Sequence, residues 1–309
     1  MSLFSFKNRQ QPTPDAAPAA TEALLQGYSM EVMPRTAEKI EDFRTLLPAD
    51  TRVYIAHIEG TPIEDMVATA RRLALEGYQV MPHFPARIIK DRTTLADWIA
   101  RYQGEAGVNQ ALVLAGGIAQ PRGDFHSSID LLESGEFGRA GFKRLHVAGH
   151  PEGNRDIDPS GGTENVLAAL RWKQAFSETS DAKMAMTTQF VFDAATVIAW
   201  AEGLKAAGID LPIHVGIAGP AKLQTLIQFS IACGVGPSLK VLQKRAMDVT
   251  KLLLPYEPTD VIAELAAYKA AKPDFNVTGV HFFPLGGIKA NATWAMRNAG
   301  AYGVPASAQ

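Results

Sequence analysis

The sequence predicts an α/β protein of one class, a (β/α)8 barrel, and three observations lead there. From Tyr28 onward, short apolar runs with strand composition alternate with segments of helical periodicity, as expected when helices connect parallel strands. Eight such units fit into roughly 280 residues, near the usual length of this barrel. No Gly/Ser linker, charge block or repeat longer than the βα unit divides the chain, so a single barrel over residues 25–305 is simpler than two domains.

The eight expected strands occupy residues 28–33, 52–58, 79–84, 110–115, 144–149, 184–192, 212–217 and 278–283. Each is a run rich in Val, Ile, Met, Phe or Tyr, bounded by Gly, Pro, Asn or Asp. A helix is expected over 63–76, where Met66, Ala70, Leu73 and Ala74 recur at three- and four-residue spacing. Another follows Asp193 over 194–207, and a third runs over 164–176 behind Thr163, a residue placed to cap it. The stretch 234–273 exceeds one connection and predicts two extra helices between strands seven and eight, over 239–250 and 259–272.

Residues 1–24 read as a flexible tail, because 7–20, KNRQQPTPDAAPAA, has too little apolar surface to offset the entropy of ordering. The alternative is an arm that packs on a second copy of the chain, which allows a homo-oligomer. Thirty Lys and Arg balance 32 Asp and Glu, for a net charge of −2. Such a chain has no positive field for a phosphate backbone, so nucleic acid is not an expected partner. No apolar run reaches the ~20 residues of a membrane span and no secretory leader opens the sequence, so the expected location is the cytoplasm and no membrane partner is expected. Cys233 is the lone cysteine, and the histidines fall on separate strands without metal-ligand spacing; neither a disulfide nor a metal is expected.

Barrels of this kind build their sites at the carboxyl ends of the strands. The polar residues there are Glu31 with Arg35, His57 with Glu59, His83 with Arg87, Gly116 and Gly117, His150 with Glu152 and Asn154, Gln189 and Asp193, and the stretch 284–291. Glu31 interrupts the apolar run SMEVMP. Facing the interior, its carboxyl would be desolvated, raised in pKa and able to act as a general acid; facing a helix, or paired with Arg35, it would be structural. Gln189, in MTTQFVFD, offers a neutral donor and acceptor suited to an amide-rich heterocycle, or is a buried amide satisfied by backbone. His83 in MPHFPA reads equally as packing. The two glycine pairs, 116–117 and 286–287, permit close approach of backbone to a ring or phosphate, or simply turn the chain. The start of the 164–176 helix could receive an anion, with Lys173 further along, or be a plain cap.

Taken in order, these residues resemble a known family. EVMPRTAEK at 31–39, PH at 82–83, HPEGN at 150–154, TQFVFD at 188–193, HVGIAGPA at 214–221 and HFFPLGG at 281–287 are similar to the successive motifs of methylenetetrahydrofolate reductases. The resemblance spans about residues 28–300 and implies a barrel that binds FAD. It further implies reduction of 5,10-methylenetetrahydrofolate to 5-methyltetrahydrofolate with NADH or NADPH, supplying methyl groups for methionine synthesis. Glu31 falls on the acid that protonates folate N10 and opens the five-membered ring. Gln189 falls on a pterin contact; His83, Gly116, Gly117, His150 and Glu152 fall on the flavin-binding segments, and Lys173 on a basic residue near the flavin phosphates. The sequence also departs from the pattern. Ala115-Gly116-Gly117 stands where the family carries R-G-D, and Leu285-Gly286-Gly287 replaces L-N-R, leaving Lys289 and Asn291 as substitutes for the substrate contacts. Two alternatives follow: direct hydride transfer from NADH without flavin, and a folate-binding methyl carrier that works with a methyltransferase.

Overall fold

The computed structural model describes residues 16–235, 241–243 and 255–308. Eight parallel strands close into a barrel in chain order: β1 (Ser29–Val32), β2 (Arg52–Ile55), β3 (Gln79–Pro85), β4 (Gln110–Leu114), β5 (Arg144–Gly149), β6 (Lys183–Val191), β7 (Ile213–Ala218) and β8 (Val277–Phe283). β1 pairs with β2 on one side and with β8 on the other, which shuts the barrel. All eight expected strands are present, each within three residues of its expected ends.

The helices are α1 (Ala16–Leu25), α2 (Pro34–Ala37), α3 (Ile63–Leu75), α4 (Arg92–Ala106), α5 (Ser128–Glu133), α6 (Glu136–Arg139), α7 (Glu164–Thr179), α8 (Ala194–Ala206), α9 (Leu223–Ala232), α10 (Thr259–Ala271) and α11 (Ile288–Asn298). α3 shows why such segments pack as they do. Met66, Val67, Ala70 and Leu73 fall on one face and are buried, and each larger side chain contributes about 2 kcal/mol by leaving water. Gly77, at φ +93°, then turns the chain toward β3. The main hydrophobic core lies between the strands and this helical shell.

The sequence reading is corrected at two places. The tail does not run to residue 24, because Ala16–Leu25 is a helix packed on α10, with Leu24 and Leu25 buried. Its alanines favour helix, and Pro18 falls in the first turn, where a missing N–H does no harm. Thr163 does not cap α7 with its side chain. Asp158 does so instead, its carboxylate accepting from the N–H groups of Asn165 at 3.1 Å and Val166 at 3.0 Å. That carboxylate also occupies the helix start considered for an anion. Between β7 and β8, α9 and α10 are present; the helix expected over 259–272 is α10, and the one over 239–250 falls almost wholly outside the described residues. No described helix is long and apolar enough to cross a membrane.

Candidate active site

Strand alternation decides which side chains enter the barrel. On β1, Ser29 and Glu31 point inward while Met30 and Val32 join the outer core. Glu31 lies at the carboxyl end of its strand, its side chain 19% exposed, between two imidazoles. Its Oε2 is 3.3 Å from His83 Nε2 and 3.8 Å from His281 Nε2. Arg35 is exposed on α2 and is not its partner.

These neighbours reverse the expected protonation. Desolvation pushes the Glu31 carboxyl upward, but the nearby imidazoles of His281 and His83 outweigh it and hold the group down to about 2. In the free protein Glu31 is therefore a carboxylate at neutral pH, not a resident acid. His281 is fully buried, and its pKa is lowered by desolvation in spite of the carboxylate. Its Nδ1 lies 2.9 Å from Ser29 Oγ, which fixes the ring so that Nε2 faces Glu31. His83 is buried on β3. The three groups form a unit within which a proton can be shared.

Gln189 stands on β6 where the register against β7 shifts, between Thr187 and Phe190. Thr188 Oγ donates to the Gln189 carbonyl and accepts from Gly216 N–H, both at 2.8 Å. A Cβ on Gly216 would fall 2.3 Å from the Thr188 carbonyl oxygen, so glycine at 216 is what admits the bulge. The Gln189 Oε1 turns back to accept from Phe190 N–H at 3.1 Å. Asp193, two residues beyond the strand, caps α8 by accepting from the Thr196 N–H and hydroxyl.

A second cluster lies between β5 and α7. Lys173 is buried with 5% exposure, and no carboxylate among the described residues comes within ion-pair distance of it. Desolvation lowers it to about 8. His150, just past β5, is lowered to about 4, first by burial and then by the Lys173 charge. Asn154 Nδ2 is 3.4 Å from His150 Nδ1, and Glu152 is half-buried in the same turn. A buried ammonium beside an imidazole is chemically complementary to a phosphate.

Gly116 has φ +96°, a conformation that favours glycine, and a Cβ there would meet Pro85 at 3.0 Å; Gly117 is exposed. Arg87 spans the neighbouring loops: Nε donates to the His126 carbonyl at 3.0 Å, Nη1 to the Ile118 carbonyl at 3.0 Å, and Nη2 to Asp156 at 2.6 Å. Arg122, of the RGD at 122–124, pairs with Glu59.

The structure thus brings Glu31 and His83 together, and Lys173 with His150, while the strand-eight candidates lie on the helix that follows β8. Lys289 is exposed on α11. Asn291 is fully buried, pressed so closely against Gly219 that a Cβ there would lie 1.8 Å from Asn291 Oδ1. Both polar atoms of its amide are buried without a hydrogen-bond partner, beside the loop that follows the carboxyl end of β7.

Sequence reasoning missed the barrel interior itself. His146, His214 and His281 each stand at an inward position, on β5, β7 and β8, and Tyr54 on β2 packs between His146 and His281. The signal was available as histidine flanked by apolar residues in three strands, LHV, IHV and VHF. Among the described residues no group of three His, Cys, Asp or Glu has metal-binding geometry.

No family model matches the chain. Among solved structures, the fold is similar to that of an uncharacterized protein from Clostridium thermocellum that binds two copies of 5-methyl-5,6,7,8-tetrahydrofolic acid. The TM-score is 0.56 at 12% sequence identity, over 92% of this chain and 97% of that chain. At that identity the likeness establishes the barrel architecture.

Proposed function

We propose that the chain binds a reduced folate in the barrel mouth and reduces 5,10-methylenetetrahydrofolate to 5-methyltetrahydrofolate. The observation that carries this reading is the Glu31 carboxylate, held inside the barrel at the carboxyl end of β1 between His83 and His281. Two further facts support it: the ordered motifs from EVMPRT to HFFPLGG, and a neighbour of similar fold whose ligand is the product of this reaction.

Opening the five-membered ring requires a proton at N10, delivered where water does not compete. In the free protein that proton does not reside on Glu31. A pterin covering the mouth removes the residual water facing the carboxylate, and a dry environment favours a neutral carboxyl beside a neutral imidazole over an ion pair. The proton then moves from imidazole to Glu31 Oε2 and on to the substrate. Ser29 holds the His281 ring in place for that transfer. The Gln189 amide, its Oε1 held by Phe190 N–H on the bulge of β6, would offer its Nε2 to the pterin edge.

The residues fit a phosphate-bearing cofactor at one end of its site. The buried Lys173 ammonium, without a carboxylate partner among the described residues, would hold the diphosphate of FAD together with His150, and Gly116 would let backbone approach the ring. A bound FAD supplies the hydride for the folate methylene carbon, taken from NADH or NADPH. Ala115-Gly116-Gly117 places no charged side chain beside that ring, and Arg87 is committed to its loops. Those two features favour, as the second reading, hydride transfer directly from NADH.

An absorbance spectrum of the purified protein, followed by addition of NADH and then methylenetetrahydrofolate, tests both. A flavin band bleached by NADH and restored by the folate is expected. A colourless protein that still forms 5-methyltetrahydrofolate supports direct transfer, and failure to form it with or without added FAD refutes the reductase reading.

A further inference from the structure

Five successive strands of the barrel open on a long polar side chain: Arg52 on β2, Gln79 on β3, Gln110 on β4, Arg144 on β5 and Lys183 on β6. Arg52 pairs in register with Gln79, Gln110 with Arg144, and Arg144 with Lys183. Strand alternation sends all five to the inner face. Arg52, Gln79 and Gln110 each stand two residues before Tyr54, Met81 and Leu112, which cluster inside the barrel. Arg144 stands two before His146, and Lys183 four before Thr187, both of which bond the Tyr54 hydroxyl there. Where such barrels are normally filled by Val, Ile and Leu, the amino end of this one is ringed by three cations and two amides, with no carboxylate in the ring.

The ring leaves its cations without counter-charge. Arg52 donates from Nε to Gln110 Oε1 at 2.9 Å and from Nη2 to Gln79 Oε1 at 3.0 Å, so its guanidinium is fixed by neutral oxygens. Burial disfavours the Arg52 charge, and Arg144 adds to the cost. Arg144 and Lys183 have neither an ion pair nor a side-chain hydrogen bond among the described residues. Both line a cavity of about 650 Å³ at the amino end of the barrel, together with Ser180, His214 and Thr278. Ser180 Oγ accepts from Ala182 N–H at 3.2 Å and keeps its own proton to donate. Asp181 and Asp210 border the same cavity and are exposed.

We propose that this cavity binds a small phosphate-bearing anion, its phosphoryl oxygens held by Arg144 and Lys183 with the Ser180 and Thr278 hydroxyls. A guanidinium forks onto two phosphate oxygens, an ammonium adds a point charge, and hydroxyls complete the acceptor sites. A doubly charged ligand relieves the repulsion among Arg52, Arg144 and Lys183, which no carboxylate of the ring does. Asp181 and Asp210 at the border repel an extended polyanion and accept from hydroxyl groups on the rest of a small ligand, so the site selects a compact phosphorylated molecule. A merely solubilising rim accounts for an exposed Lys183; it does not account for an inward Arg52 pinned by two amides beside an unpaired Arg144. The site lies at the opposite end of the barrel from Glu31 and is independent of the folate reading.

Calorimetry and nitrogen NMR of histidine-labelled protein, with inorganic phosphate, pyrophosphate and citrate as probes at constant ionic strength in chloride, test the proposal. Phosphate and pyrophosphate should bind saturably, pyrophosphate the tighter, and should move the ring resonances of His214 while leaving those of His83 at the mouth in place. Arg144→Gln combined with Lys183→Gln should weaken pyrophosphate at least about tenfold; Lys183→Gln alone, at an exposed position, serves if the double variant does not fold. Lys143→Gln removes the same charge from an exposed residue outside the cavity and should leave binding unchanged. Absence of saturable binding, undiminished affinity in the cavity variants, or an equal loss in Lys143→Gln overturns the site. Citrate binding more tightly than pyrophosphate overturns the assignment to phosphate.

Discussion

Replacing Glu31 by Gln separates the two possible protonation states of this carboxyl. Folding lowers the group from its ordinary 4.5 to about 2, with desolvation opposing and the histidines prevailing. That gap corresponds to about 3 kcal/mol of stability, fully present above the unfolded-state value and lost as pH falls toward the folded one; roughly two-thirds has gone by pH 3. Denaturant unfolding of both proteins, at intervals from pH 7 to pH 3, isolates this contribution as the difference between the curves. The wild-type protein should lose about 2 kcal/mol more than Glu31→Gln over that range. A raised carboxyl, as desolvation alone would give, predicts the opposite sign: the wild type would hold its stability better on acidification. Parallel curves, or that inverted difference, refute the placement of Glu31 as an ionised partner of His83 and His281.

Other expectations follow from the same geometry. Lys173→Met should remove a rise in stability between about pH 8 and pH 10.5, worth about 3 kcal/mol, because the folded protein releases that proton earlier than the unfolded chain; pH-dependent urea unfolding reads it, and calorimetry should show weaker FAD binding. Asp158→Ala should cost about 1–2 kcal/mol in thermal or urea unfolding, through two unsatisfied N–H groups at the start of α7. Gly216→Ala should cost about 3 kcal/mol, since its methyl group overlaps the Thr188 carbonyl, and should weaken folate binding by displacing Gln189. Arg87→Ala should leave the barrel folded but open the loop after β4 to limited proteolysis within 115–127.

The barrel was legible because its signals are local and repeat: each strand is an apolar run between breakers, and α3 and α8 end within a residue or so of their periodic patterns. α1 was misread because composition weighs Pro18 and the charges, while the helix depends on Leu24 and Leu25 finding α10, more than 230 residues away. Glu31 was identified by its intrusion into an apolar strand, but its ionisation depends on His83 and His281, brought to it by β3 and β8. The surroundings of Lys289 and Asn291 were hidden for a related reason. Their distance from strand eight along the chain is right, yet helical rotation turns one to solvent and buries the other against Gly219.

The clasp formed by Arg87 has a consequence for how the molecule can vary. One guanidinium fastens two neighbouring crossings of the rim, through two main-chain oxygens on one and a carboxylate on the other. Main-chain oxygens are indifferent to which side chains the crossings carry, so residues around Ile118 and His126 can drift without slackening the join, whereas a change at position 87 loosens both crossings together. The rim is accordingly permissive in what it displays and strict in how it is tied, a combination that lets one scaffold change its ligand while keeping its shape.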